Sequence, residues 1–230
     1  MTDSTGAELT VLVPMLGRTH RVRPLLDSIR ATVPDAEVLW LCTPTDREVL
    51  AELHRLAMAR PMDDSTVVEV PFAKGDYARK INEGYRRTSR PLLFLAACDL
   101  KFHPGWYQAA RAQLTTGIGV VGTNDLGSPR VTAGEHATHS LVTRVYADRP
   151  GATADRAGEV LHEGYWHEFV DDELVQVARV RGAWAFAADS HVEHLHPDYD
   201  KAPSDALYRR RRPRMRQGAA LFRQREPLWT

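Results

Sequence analysis

The chain has 230 residues, 43% apolar and 26% charged, with 30 basic side chains balanced by 30 acidic ones. That length suffices for one large α/β domain with a substantial core, and the composition is that of a soluble globular protein. No run approaches the ~18–20 continuous apolar residues of a membrane span, and Met1-Thr-Asp-Ser-Thr5 lacks the basic and apolar regions of a signal peptide. Cys42 and Cys98 each end an apolar, strand-like run, which suits buried thiols in a reducing compartment rather than a disulfide framework. A cytoplasmic location is the expectation.

Leu9 to Pro14 reads as a buried strand, and Met15-Leu-Gly-Arg18-Thr-His-Arg21 as the loop that follows it. Val22, Leu25, Leu26 and Ile29 then recur at helical spacing. Ala36 to Cys42 predicts a second strand. Thr45-Asp-Arg-Glu48 has the spacing of a capping box, ahead of a helix whose stripe is Val49, Leu50, Leu53 and Leu56. Thr66 to Val70 is a third, shorter strand, and 75–87 reads as a helix. Pro91 to Ala97 is an apolar run of the length of a strand buried on both faces, and it ends in a carboxylate, Asp99. His103-Pro-Gly-Trp106 turns the chain into a helix reaching about Leu114.

Four alternations of strand and helix predict a parallel sheet covered by helices. The first strand is followed by no Gly-x-Gly-x-x-Gly and no Gly-Lys-Ser/Thr, which argues against a nicotinamide dinucleotide or a P-loop nucleotide. Ile118 to Gly122 is a further strand. From Thr123 to Gly164 the chain is rich in Gly, Thr, Asp and His, with Ser140 to Tyr146 its one strand candidate. A stretch so long and irregular reads as a substrate-binding region. A helix opens at Phe169-Val-Asp171-Asp172-Glu173 and runs to about Arg181. Ala183 to Ala188 and His191 to His196 read as a closing pair of strands. The end is basic, with Arg209 to Arg212, Arg214, Arg216, Arg223 and Arg225. Such a run meets nucleic acid or a phosphate, or is simply a solvated helix face. A short helix before Pro213 and a second after it are expected, docked by Leu207, Leu221, Phe222 and Leu228.

Three groups carry chemistry: Asp99, Asp171-Asp172-Glu173, and His191, His194 and His196. Taken singly, each has a plain structural explanation. Acidic residues in a first turn suit the helix dipole, and alternating imidazoles suit a strand with solvated side chains. Taken together, one carboxylate and one imidazole can hold a divalent metal, leaving a second carboxylate as base.

In this order the motifs resemble those of a small family-2-type glycosyltransferase with the GT-A fold, over most of the chain to about His196. Val11-Leu-Val-Pro14 resembles the opening strand, whose end meets the nucleotide. Gly75-Asp-Tyr-Ala-Arg-Lys80-Ile-Asn82-Glu-Gly84 resembles the segment before the metal motif, and Phe94-Leu-Ala-Ala-Cys98-Asp99 with Pro104-Gly-Trp106 resembles that motif itself. Val170-Asp171-Asp172-Glu-Leu174, then Arg179 and Gly182, resembles the segment supplying the catalytic base, and His194 or His196 falls where a late metal-binding histidine stands. Cys98 replaces the first acidic residue of the metal motif, Asp171 stands where Glu is more common, and Cys42-Thr-Pro-Thr-Asp46 replaces the usual acidic run that reads base and ribose.

The resemblance implies a three-layer α/β/α fold with a mostly parallel central sheet, as one domain. Residues 1–122 would form its nucleotide-sugar-binding half, 123–200 its acceptor and metal half, and 201–230 a basic helical tail. It implies an inverting transfer from a nucleotide-diphosphate sugar, with Mn²⁺ or Mg²⁺ on Asp99 and His196 or His194. Pro14, Arg18, Lys80, Asn82 and Cys98 would lie beside the donor. Asp172, with Asp171 beside it, would be the base, kept ionised and weakened in basicity by the helix N-terminus. The acceptor hydroxyl is left open among a protein, a glycoside, a lipid-linked sugar and a modified nucleic-acid base. Two rivals stand beside this reading. A sugar-1-phosphate nucleotidyltransferase would want a glycine-rich basic loop after the first strand, and a non-catalytic nucleic-acid-binding protein would use the Arg209–Arg216 run with steep salt dependence.

Overall fold

The computed structural model describes residues 6–61, 63–148, 152–209 and 211–229, with backbone alone at 207 and 211–213. Arg210 therefore lies outside the described residues, as do the side chains of Leu207, Arg211, Arg212 and Pro213.

The first strand, β1 (Leu9–Met15), is buried at every position, as its apolar sequence requires of a central parallel strand. It pairs in parallel with β2 (Glu37–Cys42) on one side and β4 (Leu92–Leu95) on the other, and β3 (Ser65–Glu69) pairs in parallel with β2 at the sheet edge. Beyond β4 lie the antiparallel β7 (Ser140–Thr143), then β6 (Val120–Asn124) and β8 (Trp184–His194), with β5 (Leu100–Phe102) outermost. The order is β3-β2-β1-β4-β7-β6-β8-β5, and all but β5 and β7 run one way.

Because side chains alternate along a strand, β1 divides its residues between two cores. Val11, Val13 and Met15 pack with α1 (Val22–Thr32), α2 (Arg47–Ala59) and α4 (Trp106–Ala112). Leu12 packs with α3 (Asp76–Arg87) and α7 (Val170–Val180) on the opposite face. The result is the expected three layers. Gly84 lets α3 approach, since a Cβ there would lie 2.7 Å from Leu12 Cδ2 and 3.1 Å from Leu41 Cδ1.

Several sequence expectations are corrected. The capping box is not made: the N-cap of α2 is Asp46, with no side-chain cap bond, and its carboxylate instead accepts from the Gly17 amide of the loop after β1. β5 follows Asp99 directly, a three-residue strand hidden within what reads as a turn. The closing pair of strands is one strand, β8. Its first half pairs with β6 up to Thr123↔Ala187, the register jumps to Asn124↔His191, and its last residues pair with β5. The Ser140 to Tyr146 strand ends at Thr143, after which α6 (Arg144–Tyr146) forms one turn, and α5 (Pro129–Thr132) is another short turn.

The tail forms α8 (Ala206–Arg209) and α9 (Arg211–Arg225). Pro213 thus lies in the first turn of α9 rather than between two helices, where its missing N–H costs no helical bond. Leu221 and Phe222 dock as expected, but Leu228 is half exposed and Trp229 takes its place against Phe222, with ring centroids 4.7 Å apart. Arg225 is not part of a solvated basic face. It is buried, donating to both oxygens of Glu173 and both of Asp155. No helix among the described residues is long and apolar enough to cross a membrane.

Candidate active site

Asp99 stands just past β4, at the C-terminal edge of the parallel strands, where open α/β sheets place their ligands. The pairing Leu100↔His194 fixes what lies beside it, because the end of β8 is carried alongside the residue after Asp99. His194 Nε2 lies 3.6 Å from Asp99 Oδ1. The other oxygen, Oδ2, accepts from Arg18 Nη1 at 2.7 Å and from the Tyr208 hydroxyl. Burial opposes ionisation of Asp99, but His194, Arg18 and Tyr208 outweigh it and hold the carboxyl well below its ordinary range. Cys98, also buried, receives Arg18 Nη1 at 3.7 Å, and burial pushes its thiol up to about 12. It is an inert thiol rather than a ligand-ready thiolate.

The late histidines differ in setting. His194 closes β8, its Nδ1 buried without a hydrogen-bond partner. His196 lies beyond the strand and caps the turn Pro197–Tyr199, its Nδ1 accepting from the Asp198 amide at 3.1 Å. The two do not share a strand face, although their rings touch with centroids 4.9 Å apart. A histidine singled out only as part of a His-rich stretch, His139, packs on His194 at 5.2 Å. It donates through Nδ1 to Leu95 O at 3.1 Å, and burial, then the neighbouring His194, lower its pKa to about 4.

Lys80 and Asn82 are fully buried and fully engaged. The Lys80 ammonium spends its three donors on Met15 O (2.7 Å), Thr43 Oγ1 (2.9 Å) and Asp76 Oδ2 (2.8 Å), tying together the ends of β1 and β2. Asn82 donates to Leu161 O and Glu163 Oε1 and accepts from the Val160 and Leu161 amides, anchoring the irregular segment at 160–163. Pro14 is buried within β1, opposite Leu41.

The second acidic group opens α7. Phe169, its N-cap, has φ 71°, and Asp171 and Asp172 follow in the first turn. His136 Nε2 donates to Asp171 Oδ2 at 3.2 Å, and Arg130 Nη2 donates to Asp172 Oδ1 at 2.9 Å. The environments divide the pair. For Asp171, burial opposes ionisation, but the His136 bond and charge prevail and its pKa falls. For Asp172, burial and then the charge of Asp171 prevail over His136 and Arg130, and its pKa rises. Burial and a like charge thus act on Asp172 in the sense opposite to a helix N-terminus. Among the described residues, His136, Asp171 and Asp172 are the three metal-capable groups whose ligand atoms lie within 4.8 Å of one another. The His136–Asp171 hydrogen bond and the His136–Asp172 contact at 3.8 Å already account for that closeness.

Tyr77, on α3, links the two acidic groups. Burial first, then the charges of Asp171 and Asp99, raise its pKa, so the Tyr77 hydroxyl feels both carboxylates. Its ring meets His167 edge-on at 5.1 Å. Sequence reasoning missed Tyr77, His136, Arg130 and Tyr208. Tyr77 lay within a quoted motif, but the others had no local signal, since each meets its acid across at least 35 residues.

No family model matches the chain, and no curated protein matches it. Its fold is similar to that of the mannosyltransferase PcManGT from Pyrobaculum calidifontis, solved with GDP-Man and Mn²⁺. The TM-score is 0.71 at 16% identity, over 92% of this chain and 61% of that one. It is also similar to S. aureus TarS 1-349 solved with UDP-GlcNAc (TM-score 0.62, 12% identity, 92% of this chain and 65% of that one) and to a mycobacterial protein (0.59, 14%, 97% and 77%). The chain spans about three fifths of the length of the mannosyltransferase. At these identities the likeness carries the fold, which is of the GT-A type.

Proposed function

We propose that the protein is an inverting glycosyltransferase, moving a sugar from a nucleotide-diphosphate sugar to an acceptor hydroxyl. The observation that carries this reading is a division of labour among three carboxylates. A buried carboxylate paired with an arginine stands at the sheet edge, and a pair of carboxylates whose pKa values are driven apart opens α7. Asp171, ion-paired with His136, stays charged and lifts the basicity of Asp172.

In the reaction, Asp172 takes the proton of the acceptor hydroxyl as its oxygen attacks the anomeric carbon. The new C–O bond forms as the bond from that carbon to the diphosphate oxygen breaks, and the bonding pair leaves with the diphosphate. Attack from the face opposite the leaving group inverts the centre. Arg18 is the cation of this site placed to meet the departing charge. Lys80 acts indirectly, holding the ends of β1 and β2 on which the nucleotide would lie, and Asn82 does the same for 160–163.

A divalent metal fits the residues present. Arg18 and Tyr208 both bond Asp99 Oδ2, which leaves Oδ1 facing His194 Nε2 at 3.6 Å, with the His196 ring against that of His194. Asp99 with His194 and His196 would hold Mn²⁺ or Mg²⁺, with the remaining ligands drawn from the diphosphate and water, as such ions commonly are. The ion would supply positive charge to the leaving group. A reducing, cytoplasmic setting belongs to the same reading, since Cys42 and Cys98 are free, buried thiols.

The test is a panel of nucleotide sugars offered with Mn²⁺ to glycoside, lipid-linked-sugar, protein and modified-base acceptors, with the product's anomeric configuration read by NMR. The expected result is metal-dependent transfer with inversion. Retention of configuration, or transfer of a nucleotidyl group instead of a sugar, would overturn the proposal.

A further inference from the structure

Arg18 has a left-handed backbone, φ 57° and ψ 43°, which a non-glycine residue holds only when its surroundings over-determine it. Here the side chain does so. Nη1 reaches Asp99 Oδ2 at 2.7 Å, Nε reaches Asp205 Oδ2 at 2.7 Å, and the guanidinium lies 4.2 Å from the centroid of the Tyr208 ring. The Tyr208 hydroxyl donates to the same Asp99 oxygen, and the Tyr208 amide donates to Asp205 Oδ1 at 3.1 Å, which closes the circuit. His196 packs edge-on against Tyr208 at 4.6 Å. Two members of this ring, Arg18 and Asp99, stand at the ends of central strands. The other two, Asp205 and Tyr208, belong to the segment that follows β8.

The Arg18 fork is therefore spent on two carboxylates, and they are not equally held. The Asp99 side chain is 5% exposed, whereas that of Asp205 is 39% exposed. Of the two carboxylates on Arg18, itself 12% exposed, Asp205 is the more solvent-screened partner. Asp205 presents to Arg18 what a phosphate would present, an anionic oxygen 2.7 Å from Nε. The segment carrying it lies between two fixed points. Lys201 Nζ is bonded to Leu126 O at 2.9 Å and paired with Glu193, and α9 is moored by Arg225 on Glu173 and Asp155.

We propose that residues 205–209 are a latch that occupies the diphosphate's place in the ligand-free protein, with Asp205 standing on Arg18, and that a donor diphosphate exchanges with Asp205 and releases the segment. The proposal rests on the reading of the cleft as a nucleotide-sugar site. It adds to that reading a self-competition in which the chain's own carboxylate sets the threshold for donor capture.

The test uses the full chain and its Asp205→Asn variant, titrated with inorganic pyrophosphate and with GDP and UDP in Mn²⁺. Hydrogen exchange is followed at the amides of Tyr208 and Arg209, which bond to Asp205 in the free protein. Removing the competing charge is expected to tighten diphosphate binding by about 2- to 5-fold, the scale of an exposed ion pair. Ligand is expected to speed exchange at those two amides in the parent. Affinity unchanged or weakened in Asp205→Asn, or exchange slowed by ligand, overturns the latch. If pyrophosphate binding tightens while no sugar is ever transferred, the latch stands and the transferase reading falls. If sugar is transferred while affinity and exchange do not respond, the latch falls and the transferase reading stands. Absence of any diphosphate binding to either protein overturns both.

Discussion

Asp171 and Asp172 are adjacent in sequence and opposite in behaviour, and the difference lies in what each side chain meets. His136 holds Asp171 in its charged form, and that charge, added to burial, pushes the Asp172 carboxyl up from its ordinary value. A base of raised pKa makes transfer depend on pH. The rate is expected to rise with pH through an Asp172 pKa raised from its ordinary value by burial and Asp171, and pH–rate profiles check this; a rate independent of pH across the acid limb contradicts it. His139 bears on stability instead. Its folded pKa, about 4, lies below the unfolded 6.5, so the unfolded chain binds the proton more readily. The stability it contributes is complete above pH 6.5 and is lost as pH falls towards 4, a difference of about 3 kcal/mol. Thermal melts of the metal-free protein should show that loss, and His139→Asn, which keeps a donor for Leu95 O, should flatten it. At this scale the sequence disclosed the acids but not their partners. An Asp before a helix or after a strand has a local pattern, whereas His136 and Tyr208 reach their carboxylates only through tertiary folding.

The strands and helices that periodicity could reveal were legible, because β1, β2, α1 and α2 bury continuous runs or clean stripes. What was not legible depended on neighbours. β5 has three residues and one of them is exposed, so its existence rests on pairing with β8. The two apolar stretches of β8 read as two strands because the register jump between them has no counterpart in a regular pattern. Close packing of elements yields two further expectations. Gly84→Ala would drive a methyl into Leu12 and Leu41 between α3 and the sheet, so it should destabilise by about 1–3 kcal/mol despite the better helix propensity of alanine. Arg225→Met leaves Glu173, only 2% exposed, without its cation and should cost about 3–5 kcal/mol by denaturant unfolding. A neutral result for Arg225→Met would mean that α9 is not moored by this pair. Gly218 serves the same docking, since a Cβ there would lie 2.8 Å from Glu168 O, just before α7.

Across the whole molecule, a sheet of six parallel strands and two reversed ones gathers its chemistry at one edge. Asp99 comes there from β4 and His194 from β8, while the tail crosses to reach Arg18, and Asp171 and Asp172 stand in the first turn of α7. Strand–helix alternation made the layered fold readable from the sequence, and the resemblance of ordered motifs marked the acids. The closure of the site by Asp205 and Tyr208 was not readable, since it joins positions 187 and 109 residues apart in the chain. The proposed mechanism makes Asp172 the base and Asp171 its electrostatic partner. It is tested most directly by single-turnover transfer in Asp172→Asn and Asp171→Asn, with donor affinity measured in parallel. Asp172→Asn is expected to lower the transfer rate by roughly 10²–10⁴-fold with donor affinity unchanged, and Asp171→Asn to lower it less. An Asp172→Asn protein that transfers at the parental rate, or a larger loss in Asp171→Asn, contradicts the account.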